Sequence, residues 1–222
     1  MKLSVVIPAL DEADRIAEAI RSAAGEGVEV IVVDGGSRDA TRERAAAAGA
    51  TVLQSNPGRA RQLGIGARRA RGDAVLFLHA DTRLPDGWST AVSAALADPA
   101  ISGGAFGLRF DVAHPALRVI QAGVALRVKL FGLPYGDQAI FARRSALEEV
   151  GGVPDAPVME DLDLVRALKR RGRFAVLPLS VTTSARRYLE RGPWRVAARN
   201  LLAAAAWAIG LDRARVAGWY KG

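Results

Sequence analysis

The chain of 222 residues has no cysteine, which excludes disulfides, thiolate metal centres and cysteine nucleophiles. It has only two histidines, His79 and His114, so a multi-histidine zinc site is not expected either. Aromatic residues make up just 6% of it, and no basic arm interleaves with them, which argues against a nucleic-acid partner read by base stacking. Long apolar runs are missing too. The longest uncharged one, Leu201 to Leu211, falls well short of the ~20 residues that span a bilayer. Lys2 and LSVVIPAL imitate a short export signal, but Pro8, Asp11 and Glu12 end it without a small-residue cleavage site. The expectation is a cytoplasmic protein. Lysine is rare, so arginine supplies nearly all of a formal net charge of +8. That excess suits phosphorylated small molecules or an anionic membrane surface ahead of nucleic acid, although an arginine-rich genome would produce the same balance.

What is present is an alternation of apolar runs and amphipathic segments. Over the first hundred residues LSVVIP, VEVIVV, ATVLQ and AVLFLH read as strands. Between them fall helical patterns from Glu12 to Ala24, from Ser37 (as cap) to Gly49, and from Arg59 to Arg71, with a fourth opened by Pro85 and running through Ala97. The pattern predicts an α/β fold with a mostly parallel central sheet flanked by helices. The second half predicts a glycine-led strand GGAFGLRFDV, an amphipathic helix HPALRVIQAGVALRVKLFGL and a strand-like GDQAIFARR. A capped helix MEDLDLVRALKRRGR, a strand FAVLPL and an alanine-rich helix from Pro193 to Gly210 follow. The whole reads as a single domain with two functional halves, 1–100 and 101–222.

The chemistry gathers where the strands end. Asp11 and Glu12 follow the first, Asp34 ends the second, and His79-Ala80-Asp81-Thr82 closes the fourth, where open α/β sheets bind ligands. Each acid alone could be a helix cap, but three together point to a metal-bridged anionic ligand. A dinucleotide site is excluded, because IPALDE stands where a glycine-rich phosphate loop is required.

VVIPALDE, VVDGGSRDAT, GRARQLGIG, LFLHADTRLP and MEDLDLVRAL, in this order and spacing, resemble a family 2 glycosyltransferase of GT-A fold. The wording of LHADTRLP, GLPYGDQAIF and the full MEDLDLVRALKRRGR resembles a short bacterial subgroup associated with radical-SAM and selenodomain proteins. The resemblance implies transfer of a sugar, with inversion, from a nucleoside diphosphate donor to a hydroxyl acceptor, with Mg²⁺ or Mn²⁺ as cofactor, the first half, 1–100, binding the nucleotide and the second, 101–222, the acceptor. The alternatives are a sugar-1-phosphate nucleotidyltransferase, against which IPALDE in place of a glycine-rich phosphate loop argues, and a non-catalytic nucleotide-sugar-binding paralogue. It places Asp34 on the nucleobase, uracil being the typical one, Pro8, Ala9 and Glu12 around the nucleoside, and Arg61 near the base or diphosphate. Asp81 matches the metal-binding acid. His79 takes the position of a ribose-binding acid and is read either as a ribose donor or as a satisfied strand-end histidine. Asp161 matches the catalytic base. Glu160 and Asp163 are first-turn acids favoured by the helix dipole, Glu160 also standing near the acceptor or donor sugar with Asp137 and Gln138. The helices around Arg118 to Leu130 and Trp194 to Trp207 mix basic and apolar residues, as interfacial helices do. Peripheral contact with the inner membrane face is therefore a second expectation on localisation.

Overall fold

The apolar runs LSVVIPA and AVLF are buried along nearly their whole length, as strands at the centre of a parallel sheet are. In the computed structural model, which describes residues 1–221, strands β1 (Leu3–Ala9), β2 (Val28–Asp34), β3 (Thr51–Gln54) and β4 (Ala74–Phe77) run parallel in the order β3-β2-β1-β4. Alternation sorts the side chains: Leu3, Val5 and Ile7 enter one apolar cluster, while Val6 enters another across the sheet. Helices α1 (Ile16–Ala23) and α2 (Thr41–Ala47) cover the first face, and α3 (Arg59–Arg69) covers the second. The approach of α3 to β1 requires glycine, since a Cβ on Gly66 would stand 2.3 Å from Val6 Cγ1.

The other half of the sheet is mixed. Strand β7 (Phe141–Arg143) joins β4 to β6 (Ile101–Phe110) and is antiparallel to both; β8 (Arg173–Thr183) is parallel to β6, and the two-residue β5 (Thr82–Arg83) closes the edge beside β8. The complete order is β3-β2-β1-β4-β7-β6-β8-β5. Helices α4 (Trp88–Ala95) and α5 (Pro115–Phe131) pack on the first face. On the second lie α6 (Arg144–Glu149) and α7 (Glu160–Lys169). The tail forms α8 (Arg186–Arg191), α9 (Pro193–Ala208) and α10 (Arg213–Lys221), and a third cluster ties Ala203, Ala206, Trp207 and Val216 to Val158, Met159 and Leu162.

Several local expectations change. Ser37 does not cap α2, which starts at Thr41: its hydroxyl donates to Asp34 and accepts from the Asp11 amide. The strand AVLFLH stops at Phe77, and the chain turns through Ala80 and Asp81 before returning as β5. GDQAIFARR is a 3₁₀ turn at Gly136–Gln138 followed by Ala139 at φ 46° and only three strand residues, so the extended reading fails where the backbone must curl. Trp207 is buried in the third cluster and donates to Asp163, which rules out its lying on an exposed helix face.

Candidate active site

Strand order reverses between β1 and β4, and the crevice beyond their carboxyl ends holds a cavity of about 620 Å³. Its walls include Pro8 and Ala9 at the end of β1, Glu12 just after it, Arg59 opening α3, and His79 and Asp81 after β4. Gly136 and Asp137 of the 3₁₀ turn, Glu160 and Asp161 opening α7, and Arg187, Tyr188, Asn200 and Tyr220 of the tail complete them. Residues remote in sequence thus meet in one space.

The loops after β1 and β2 hold one another. Gln62 of α3 is buried and donates to both Ala9 O (2.9 Å) and Val33 O (2.8 Å), fastening the ends of β1 and β2. The loop after β1 is strained at Asp11, φ 53°, and secured from the loop after β2 by Arg38 N donating to Asp11 Oδ1 at 2.8 Å and Glu12 N to Thr41 Oγ1 at 2.9 Å. The Glu12 carboxylate accepts from Arg186 at 3.0 Å; partial burial raises its pKa, and that guanidinium offsets only part of the rise.

The chemical centre is a cluster around Arg59. Its Nε donates to Glu160, its Nη2 lies 3.5 Å from Asp161 Oδ2 and its Nη1 lies 3.3 Å from His79 Nε2. Desolvation, then the adjacent guanidinium, push the His79 pKa down to about 4, so the imidazole is neutral at neutral pH. Arginine only donates, so Nε2 acts as acceptor there and Nδ1 carries the proton. Asp161 Oδ2 accepts from the Gly136 amide at 2.6 Å, and a Cβ on Gly136 would come within 3.1 Å of that oxygen and 3.2 Å of His79 Nε2. Asp137 presents a buried Oδ1 with no hydrogen-bond partner among the described residues. Burial pushes its pKa up to about 6, partly countered by Arg127, whose guanidinium stacks 3.3 Å from the Tyr135 ring centroid.

Three expected site residues lie elsewhere. Asp34 is fully buried and outside the cavity wall; its carboxylate accepts from Gly36 N, Ser37 N and the Ser37 hydroxyl, so it shapes its own turn. Arg61 is exposed and also outside, because α3 turns Arg59 inward instead. Gln138 is buried, donating to Phe106 O and accepting from Tyr135 N and Arg127, so its carboxamide is engaged within the protein. Arg59 had a sequence signal: a base in the first turn of a helix opposes the macrodipole and calls for an anion nearby. Tyr188, Asn200 and Tyr220, joined by Asn200 Nδ2 to Tyr188 OH at 3.2 Å and Tyr220 OH to Asn200 Oδ1 at 2.8 Å, carried none that fixed their place.

The site fits a divalent cation brought in with a diphosphate. The Asp81 carboxylate stands at the wall with only Thr82 Oγ1, at 3.3 Å, as a hydrogen-bond partner among the described residues. No group of three or more candidate ligands occurs among those residues, so phosphate oxygens and water would complete the shell, as Mg²⁺ commonly accepts.

Comparison with known proteins decides the family. The model of Glycosyl transferase family 2 matches residues 4–151. The chain belongs to glycosyltransferase family 2. The matched span carries every wall residue from Pro8 to Asp137 and stops short of Glu160, Asp161 and the tail. A stretch of 92 residues is 40% identical to glucosyl-3-phosphoglycerate synthase of Mycolicibacterium paratuberculosis (strain ATCC BAA-968 / K-10), covering 36% of this family 2 chain and 28% of that protein's length. The Mycobacterium tuberculosis enzyme of the same name, solved with Mn²⁺, uridine diphosphate and glucosyl-3-phosphoglycerate, shares the fold at TM-score 0.69 and 23% identity, over 95% of this chain and 81% of that one. S. aureus TarS 1–349 shares it at TM-score 0.64 and 18% identity, over 97% and 68%. The architecture is thus the GT-A fold of the family.

Proposed function

We propose that the protein is an inverting, divalent-metal-dependent transferase that moves a sugar from a nucleoside diphosphate donor, most simply uridine-linked, to a hydroxyl acceptor. The observation that carries this reading is the meeting of Asp81, Arg59 and Asp161 in one cavity, one side of which is built by the tail. Support for a uridine donor comes from the mycobacterial synthase, solved with uridine diphosphate and Mn²⁺. The finer likeness, to the short bacterial subgroup, fixes no substrate.

In this scheme Pro8, Ala9 and Glu12 enclose the nucleoside, and neutral His79 donates from Nδ1 to a ribose hydroxyl. Asp81 holds Mg²⁺ or Mn²⁺, which when bound neutralises charge on the departing diphosphate. Arg59, already poised among the carboxylates, donates to phosphate oxygens. Asp137 accepts from a donor-sugar hydroxyl through its unpartnered oxygen. Asp161, held by the Gly136 amide, takes the proton as the acceptor oxygen bonds to the anomeric carbon. The bond to the diphosphate breaks on the opposite face, its electrons leave with the phosphate, and configuration inverts. The polar wall of Tyr188, Asn200 and Tyr220 then receives the acceptor, and the division into nucleotide half and acceptor half follows.

The test is incubation with UDP-, GDP- and dTDP-sugars and Mn²⁺, with products separated by chromatography. Release of a nucleoside diphosphate with free sugar or glycoside supports the reading. Pyrophosphate exchange, or no turnover of any donor with any acceptor offered, would overturn it.

A further inference from the structure

Helix α9 has two different sides. Inward it gives Asn200 to the cavity wall and buries Val196, Ala203, Ala206 and Trp207. Outward it exposes Trp194 (59%), Leu201 (66%) and Leu202 (61%), with Ile209 (75%) at its C-cap and Ala198 and Ala205 between them at helical spacing. Helix α5 packs beside it and does the same: Leu117, Ile120 and Val128 are buried, while Val119, Leu126 and Leu130 lie exposed along one stripe with Phe131 beside its end. Two neighbouring helices therefore leave eight large apolar side chains without cover, more than scattered surface residues account for.

The charge on these helices has one sign. Neither contains an acid, and their exposed bases are Arg118, Lys129 and Arg195; acids resume only outside them, at Asp111, Glu190 and Asp212. We infer that this face seats on an anionic lipid surface, with the apolar stripes entering the headgroup region and the three bases meeting lipid phosphate. A second copy fits less well, because a two-fold pairing would set basic rims against each other with no carboxylate on either helix to answer them. The arrangement lies on a bilayer and does not cross it, since no helix among the described residues is long and apolar enough to span one. Given the proposed transferase reading, α9 would then hold its cavity wall next to lipid headgroups, and the acceptor hydroxyl would belong to a molecule of that interface.

The experiment is co-sedimentation of the full chain with phosphatidylcholine vesicles with and without about a third phosphatidylserine. Binding to the anionic vesicles alone, lost in Leu201→Glu/Leu202→Glu and weakened about fivefold in Arg118→Gln, is the expected result. Unchanged melting temperatures and Mn²⁺–UDP binding show that these variants fold, and they separate failure of this surface from failure of the transferase reading. Absence of sedimentation at low salt would overturn the inference. So would a dimer, seen by light scattering and broken by the same double substitution, because it would assign the face to a second copy.

Discussion

Asp161 is held on one side by a backbone amide and faced on the other by a guanidinium, so its orientation does not depend on its charge alone. Asparagine keeps the size and can still accept from Gly136. Asp161→Asn should therefore lower transfer by ~10²–10⁴-fold while UDP affinity by calorimetry stays near that of the unaltered protein; an unaltered rate would move the base to Glu160 or Asp137. Asp137 makes a prediction of a different kind. Its pKa of about 6 in the folded protein stands above the ordinary carboxylate value, so the folded state keeps a proton that the unfolded chain gives up. That contribution is complete below about pH 4 and is lost as pH rises through about 6. Asp137→Asn removes the cost of the buried charge, up to about 3 kcal/mol. The variant should gain more melting temperature over the unaltered protein at pH 7.5 than at pH 4, and an equal gain at both would refute the buried-charge account.

At the scale of the element, the helices that approach the sheet most closely do so through small residues. Gly66→Ala drives a methyl into Val6 and should cost about 1–3 kcal/mol, read as a lower denaturation midpoint with an unchanged slope. The early strands were legible because LSVVIP and VEVIVV are apolar at consecutive positions, a pattern that survives any packing partner. Helix α1 was legible because Ile16, Ala19, Ile20 and Ala23 carry its period. β7 and β5 were not: three and two residues long, they exist because β4, β6 and β8 offer edges to pair with, information that lies far along the chain. The same limit applied to the site. Asp81 and Asp161 could be placed from motifs in register, but the inward turn of Arg59 depends on Glu160, 101 residues away. Asp34 looked open because two glycines follow it, and those glycines instead let the chain fold back over its carboxylate.

The whole molecule is positive and its cavity is not. Five carboxylates, Glu12, Asp81, Asp137, Glu160 and Asp161, face that space against Arg59 and Arg187, while His79 is neutral. A diphosphate entering alone meets repulsion that a divalent ion at Asp81 would reverse. UDP affinity should therefore fall at least about tenfold, about 1.4 kcal/mol, when Mn²⁺ is withdrawn with EDTA, and Asp81→Ala should reproduce that loss with Mn²⁺ present. Titration calorimetry showing equal affinity with and without the ion would count against both roles.

The contact between Glu12 and Arg186 joins positions 174 residues apart. On a ribosome adding ~5–20 residues per second, the acid exists for roughly 9–35 s before its counter-charge has been made. In that interval the first four strands can pair, since each lies next to a neighbour already synthesised, whereas the mouth of the crevice cannot close. The nascent chain therefore passes through a stage with a formed loop after β1 and an unanswered carboxylate at its rim. Maturation of the site is a late event in the life of the polypeptide, governed by arrival of its last third.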